Sequence, residues 1–388
     1  MAAWRFWPEQ GVWNPCLAVL PRRLANHELV EAAWHGLDPA KVWDVHAHLV
    51  GTGDAGSGIT VNPRTESLLD PGQYARRLFF LNAGCVHDAA GSVDLAYVDR
   101  MRNLNEGMRP GVKMLLLAFE RAYDERGAPD PEHTIFHIPN DYARDVARRH
   151  ADHFEWAASI HPYRQDALEA LAQAARDGAR GVKWLPSAMG IDPASEKCDS
   201  FYQMMNRMGL PLIAHAGQER AVLGREAHDF GNPLRLRRAL DAGVRVVVAH
   251  CASMGEDRDL DRGAHGPYVE SFSLFARVFE KYPNAYGDIS AMTQVNRAGP
   301  ALARVIESEA WHPRLLNGSD YPLPGVMPVF SVDYLVSLKM VQESAAPVLR
   351  EIRAHNPLLF DFVLKRHLRS NRKALSASVF ETRAFFVR

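Results

Sequence analysis

Lys41-Val-Trp-Asp-Val-His-Ala-His-Leu-Val50 is a short apolar run that ends in two histidines. On a strand, residues i and i+2 share a face. His46 and His48 therefore leave one face of that strand at its exit, placed to hold one metal ion. With 17 histidines in the chain, a His-x-His spacing also arises by chance. The pair gains weight from the rest of the chain, which carries more apolar runs, several of them ending in a metal-capable residue.

Seven such runs lie downstream, at 112–119, 154–161, 181–185, 211–215, 244–250, 285–290 and 314–320. With residues 42–48 they make eight. Helix-period text lies between them, as at 165–177, 201–208, 232–241 and 269–281, and Gly178, Gly209, Gly243 and Pro283 stand just beyond as stop signals. Strands alternating with helices in this way predict parallel βαβ units, and eight of them close naturally into a (β/α)8 barrel. Residues 1–40 read as an N-terminal extension packed on the barrel, with its clearest helix at 27–34. Residues 41–388 read as one barrel domain that includes C-terminal helices at 332–342, 346–353 and 357–368. The end of the chain, 379–387, is ambiguous and is open to a short strand.

A long excursion at 50–110 separates the first run from the second. It opens with the glycine-rich Gly51-Thr-Gly-Asp-Ala-Gly-Ser-Gly58 and carries helical text at 74–82 and 93–103. The glycine run has no Gly-Lys-Ser/Thr ending, so it is not a phosphate loop. A flexible connector, or a lid over a site, is the expectation there.

Composition narrows the classes of function. The chain has 388 residues, 47% hydrophobic and 23% charged, with a formal net charge of −1. That balance offers no basic field for nucleic acid. No apolar run reaches the roughly 20 residues of a membrane span. The N-terminus lacks the pattern of a signal peptide, which makes the cytoplasm the expected location. Cys16, Cys85, Cys198 and Cys251 are far apart and form no Cys-x-x-Cys, so small apolar filler is expected rather than a disulfide framework.

In a barrel the reactive residues sit at the C-terminal ends of the strands. Those ends supply His46 and His48, Lys183, His215, His250 and Asp320. Each has a bland alternative, such as a core histidine or a turn-starting aspartate. As an ordered set at strand ends they point to a divalent metal, most simply Zn²⁺.

The matching text is Asp44-Val-His46-Ala-His48, Gly181-Val-Lys183, Ile213-Ala-His215-Ala-Gly217, Val248-Ala-His250, Tyr286-Gly-Asp-Ile-Ser290 and Gly318-Ser-Asp320-Tyr-Pro322. With it the chain resembles the amidohydrolase superfamily, in the branch called amidohydrolase-2. The resemblance implies that His46, His48, His215 and Asp320 bind a first metal. It implies that His250 binds a second one, or hydrogen-bonds the attacking water or substrate where one ion is present. Lys183 then stands where some members carry a carboxylated lysine bridging two metals; its alternative is a plain amine paired with a carboxylate. The implied reaction is hydrolysis of an amide, lactone or other ester of a small molecule. Asp320 serves as general base and then general acid, with His250 beside it in the chemistry.

Arg64, Arg164, Trp184 and Arg220 are candidates for the substrate side, since arginine suits a carboxylate through paired contacts. Glu219 lies just past the fifth run, and Asp288 on the seventh is a candidate for hydrogen bonding behind the site. Two other functions compete with hydrolysis. One is a decarboxylase or hydratase on the same metal site, because fold does not fix reaction. The other is a non-catalytic binding protein on a barrel scaffold. Trp4, Trp7 and Trp13 offer an aromatic segment for packing on the chain's own barrel or on a second copy in a homo-oligomer.

Overall fold

The computed structural model describes residues 14–17, 19–87, 89, 91–219, 221–222, 227–326 and 329–387. The expectations for Trp4, Trp7, Trp13 and Arg220 fall outside the described residues. The eight runs form eight strands: β1 Trp43–His48, β2 Lys113–Leu117, β3 Phe154–Ala157, β4 Val182–Trp184, β5 Leu212–His215, β6 Val246–Ala249, β7 Ala285–Asp288 and β8 Leu315–Leu316. The helices that precede β2 to β8 end in turn at Glu106, Arg149, Arg176, Met208, Asp241, Lys281 and Glu307. The chain is an α/β protein with parallel sheets, a (β/α)8 barrel. Strands covered on both faces carry continuous apolar text, and β5 and β6 are buried at every position.

Contacts divide the chain into two compact units. The first holds residues 1–55, 77–115 and 290–385. In it β1 is stitched by parallel hydrogen bonds to the end of the chain's eighth run. The amide of Val45 donates to Asn317, that of Asp320 to His46 and that of His48 to Tyr321, and Ala47 pairs with Tyr321. Helix Glu28–Trp34 lies here as well, with Trp34 packed on Phe362 at 4.2 Å between ring centroids. The glycine-rich run is tied down at its start: the amides of Thr52 and Gly53 donate to Asp94 Oδ1 at 2.7 and 3.1 Å.

The second unit holds residues 56–76, 116–289 and 386–388. Strands β4, β5, β6 and β7 pair in parallel in chain order, with Val182 opposite Leu212, Leu212 opposite Val246 and Val246 opposite Ala285. Ala158, just past β3, extends the row through a parallel bridge to Val182. Two short antiparallel pairs, 60–61 with 136–137 and 256–258 with 268–270, lie outside the parallel series.

Several details correct the sequence reading. Cys16 and Cys85 are joined in a disulfide, while Cys198 and Cys251 are buried free thiols. The two bonded cysteines are 69 residues apart, a separation from which sequence gives no hint of nearness. The ambiguous tail 379–387 contains a helix at Arg383–Phe386 rather than a strand. Helices Asn140–Arg149 and Pro300–Glu307 were not anticipated. Among the described residues no helix is long and apolar enough to cross a membrane.

Candidate metal centre

Strand alternation places His46 and His48 on the same face of β1, as their spacing requires. The segment after β8 brings Asp320 to them. Asp320 Oδ1 lies 3.1 Å from His48 Nε2 and 3.6 Å from His46 Nε2. The three side chains offer ligand atoms that all lie within 4.8 Å of one another. Bonds of about 2.0–2.1 Å place tetrahedral zinc ligands roughly 3.3 Å apart, and the two separations bracket that value. Two imidazoles and a carboxylate also form a donor set of the right chemistry for Zn²⁺. The residues present fit a divalent ion.

The backbone around the cluster is specialised for it. Asp320 has a φ of +61°, a left-handed conformation uncommon for a residue with a side chain. Its amide donates to the carbonyl of His46 at 2.8 Å, so the metal-bearing ends of the two segments are locked together. Gly318 makes the approach possible. A Cβ there would fall 2.7 Å from the Cβ of His46.

Further groups set the histidines. Ser290 Oγ lies 3.2 Å from His46 Nδ1, leaving Nε2 for the metal side. This is the kind of outer partner that fixes the ring and tautomer of a metal ligand. Tyr97 donates its hydroxyl to the carbonyl of His48 at 2.8 Å. Asp44 Oδ1 accepts the amides of His46 at 3.1 Å and Ser319 at 2.8 Å. Burial pushes the carboxyl of Asp44 up to about 6, against the pull of those hydrogen bonds and of Lys365. The sequence reading gave no role to Ser290, although it stands two residues beyond Asp288 at the end of the β7 run. It gave none to Asp44, which shares the face of the two histidines.

The second unit holds the remaining sequence candidates. His215 ends β5, and His250 comes directly after β6; their rings lie 5.3 Å apart, edge to face. Glu219 Oε2 is 3.1 Å from His215 Nε2. Asp288 Oδ1 accepts the amide of His250 at 3.0 Å. His250, Cys251 and Ala252 all have positive φ, three left-handed residues in a row at the exit of β6. Such strain persists where surrounding structure enforces it, and it clusters at functional sites. Lys183 sits in the middle of β4 and is 1% exposed. Burying an ammonium group is costly unless it is paired or modified, so its place suits either state considered for it.

The substrate-side expectations fare differently. Trp184 is fully buried, donates its indole N–H to the carbonyl of Ile160 at 2.8 Å and packs on Phe201 and Tyr202. It is a core residue with no face for a substrate. Arg64 is paired with Asp70 at 2.8 Å. Arg164 is held by Glu120 and Asp166. Glu120, unremarked in the sequence, is a buried carboxylate just past β2 that also receives the amide of Arg121.

A family profile described as amidohydrolase (Amidohydro_2) matches residues 43–328. The chain belongs to that amidohydrolase family, whose members are metal-dependent enzymes. No curated protein matches it. Among solved structures it is similar to an uncharacterised TIM-barrel protein from Bordetella bronchiseptica, at 16% identity over 81% of this chain and 99% of that one, with a TM-score of 0.48. It is similar to a putative 2-pyrone-4,6-dicarboxylic acid hydrolase from Pseudomonas putida, at 15% identity over 83% and 97%, with a TM-score of 0.44. It is also similar to a 2,6-dihydroxybenzoate decarboxylase from Rhizobium, at 13% identity over 82% and 98%, with a TM-score of 0.41.

Proposed function

We propose that this chain is a metal-dependent hydrolase that cleaves an amide, lactone or other ester of a small molecule. The observation that carries the reading is the convergence of His46 Nε2 and His48 Nε2 on Asp320 Oδ1, in a chain of amidohydrolase family. These three residues hold the ion, most simply Zn²⁺, and His215 completes the set by resemblance. A divalent ion bound there supplies Lewis acidity, which brings the pKa of a water toward neutrality. Asp320 accepts the proton of the attacking water and returns it to the leaving group. His250 donates a hydrogen bond to the oxygen on which charge develops. Ser290 holds His46 in register for this, and Asp44 holds the backbone on both sides. The cytoplasm remains the proposed location.

Metal analysis of the chain purified without chelator, alongside His46→Ala, tests the reading. The expected result is one or two zinc ions per chain, loss of metal in the variant, and chelator-sensitive hydrolysis within a panel of lactones and amides. Mass analysis of Lys183 under native conditions separates one ion with a free amine from two ions with a carbamate. Release of CO2 from carboxylated substrates without hydrolysis would replace the hydrolase with a lyase on the same residues. A chain without metal, unchanged by His46→Ala, would remove the reading altogether.

A further inference from the structure

In the second unit the arginines expected to meet a substrate are already engaged, Arg64 by Asp70 and Arg164 by Glu120 and Asp166. Arg144, Arg180, Arg235 and Arg238 also have carboxylate partners. Arg121 differs. It is half-buried and lies just past the end of β2 at Leu117, and a barrel builds its sites from the segments that follow its strands. Among the described residues its guanidinium has no hydrogen-bond or ion-pair partner; only its backbone amide is engaged, donating to Glu120 Oε1 at 2.9 Å. Its charge reaches Tyr123 and His137. His137 Nδ1 is buried and has no partner either.

The backbone on both sides of Arg121 is fixed. The amide of Glu120 donates to Ser159 Oγ at 3.0 Å, that of Ala122 to Thr134 Oγ1 at 3.1 Å and that of Tyr123 to the carbonyl of Met189 at 3.3 Å. The carbonyl of Ala122 accepts the amide of Asp130 at 2.9 Å. Such backing suits a recognition side chain, because a loosely held group loses affinity to the entropy of ordering it. A guanidinium partly withdrawn from water and left unpaired is costly, and its planar fork of N–H donors matches a pair of oxygens. A carboxylate supplies that pair and one negative charge. A phosphate dianion would bring a second charge close to Glu120, which is only 2% exposed and whose Arg164 is already shared with Asp166. A neutral amide would leave the charge unanswered.

We propose that Arg121 is a specificity-determining residue, and that it binds a carboxylate of the substrate through paired hydrogen bonds. The substrate is then an amide, lactone or other ester that also bears a free carboxylate, a statement that rests on the hydrolase reading. The carboxylate site itself rests on Arg121, its fixed backbone and its missing partner.

Two experiments on the full chain test the site and the substrate class separately. Phenylglyoxal, which modifies unpaired guanidinium groups, should label Arg121 faster than Arg164, as read by peptide mass. Benzoate should slow the labelling of Arg121 and leave that of the exposed Arg126 unchanged; benzamide, its neutral counterpart, should slow neither. The second experiment compares two matched lactones, one with a carboxylate and one with the primary amide in its place. Arg121→Gln should raise KM for the carboxylated lactone roughly 100-fold with kcat little changed, and leave the neutral lactone as it was. Arg121→Lys should fall between, since it keeps the charge without the fork. The Tm of Arg121→Gln should stay within about 2 °C of the unsubstituted chain, because the side chain has no hydrogen bond to lose. Equal losses on both lactones, a Tm lower by about 5 °C or more, no shielding by benzoate, or equal shielding by inorganic phosphate would each overturn the inference. Shielding by benzoate in a chain that hydrolyses no lactone, amide or other ester would keep the carboxylate site and remove the hydrolase reading.

Discussion

The histidines of the two units are treated differently by their neighbours. In the first unit, His46 and His48 present both Nε2 atoms to a single carboxylate oxygen of Asp320. Two positive ends would repel there if both rings were protonated, and one carboxylate cannot hydrogen-bond both well at 3.1 and 3.6 Å. The geometry makes better sense around an ion than without one. In the second unit, His215 has Glu219 within 3.1 Å, a carboxylate four residues along its own segment. His250 is anchored through its backbone, by Asp288. The contrast teaches that equal residue types at equal strand ends are not equal chemistry. The surroundings set what each imidazole can do: two share one carboxylate oxygen, one keeps a carboxylate of its own segment, and one is fixed through its backbone.

The severest way to break this comparison is Asp320→Asn. The amide keeps the size but loses the charge that gathers both histidines, and it cannot accept a proton as a carboxylate does. The expected outcome is a fall in turnover of roughly 10³-fold or more, with weaker metal retention, measured on any substrate the panel identifies. A variant that kept full turnover would show that the first unit's cluster is not the reactive one.

A pair of gentler variants sharpens the same contrast. Ser290→Ala removes the partner of His46 Nδ1 without touching a ligand. Metal affinity should fall about tenfold, the usual scale for such outer partners. Glu219→Gln, beside the proposed ligand His215 in the second unit, should weaken metal binding less than Ser290→Ala does and lower kcat/KM about tenfold. Competition titration with a zinc chelator reads the first, and steady-state kinetics the second. If Glu219→Gln cost more metal than Ser290→Ala, the assignment of roles to the two units would be reversed.

Much of this was legible before the structure. Eight apolar runs, their helix stops and the residues at their ends come from local periodicity, which short-range sequence records. His46 and His48 are legible for the same reason, as a two-residue period on one strand. Asp320 was visible as a strand-end residue, but its φ of +61° and its hydrogen bond to His46 depend on a glycine and a partner some 270 residues away in the chain. The Cys16–Cys85 bond is hidden for that same reason. Trp184 misled because a large aromatic beside a candidate lysine reads equally well as a substrate contact or as core. Alternation on β4 sends it to the face opposite Lys183, where Phe201 and Tyr202 enclose it.

The smallest expected effect concerns a third histidine of the second unit, and it tests whether neighbours do decide the state of an imidazole. His137 has a carboxylate nearby, but Glu120 Oε1 is 3.8 Å from its Nε2, too far for a hydrogen bond, and Glu120 Oε2 is taken by Arg164. Burial, with Arg121 and Arg164 adding to it, pulls His137 down to about 3. An unfolded imidazole titrates near 6.5. Between those values the unfolded chain takes up a proton that the folded chain refuses. The contribution of His137 to stability is therefore complete above about pH 6.5 and is lost progressively as pH falls toward 3. Urea midpoints measured from pH 7 to pH 4 should decline less steeply in His137→Asn than in the unsubstituted chain, by about 1 kcal/mol per pH unit. Equal slopes would mean that the folded chain protonates His137 as readily as the unfolded chain does.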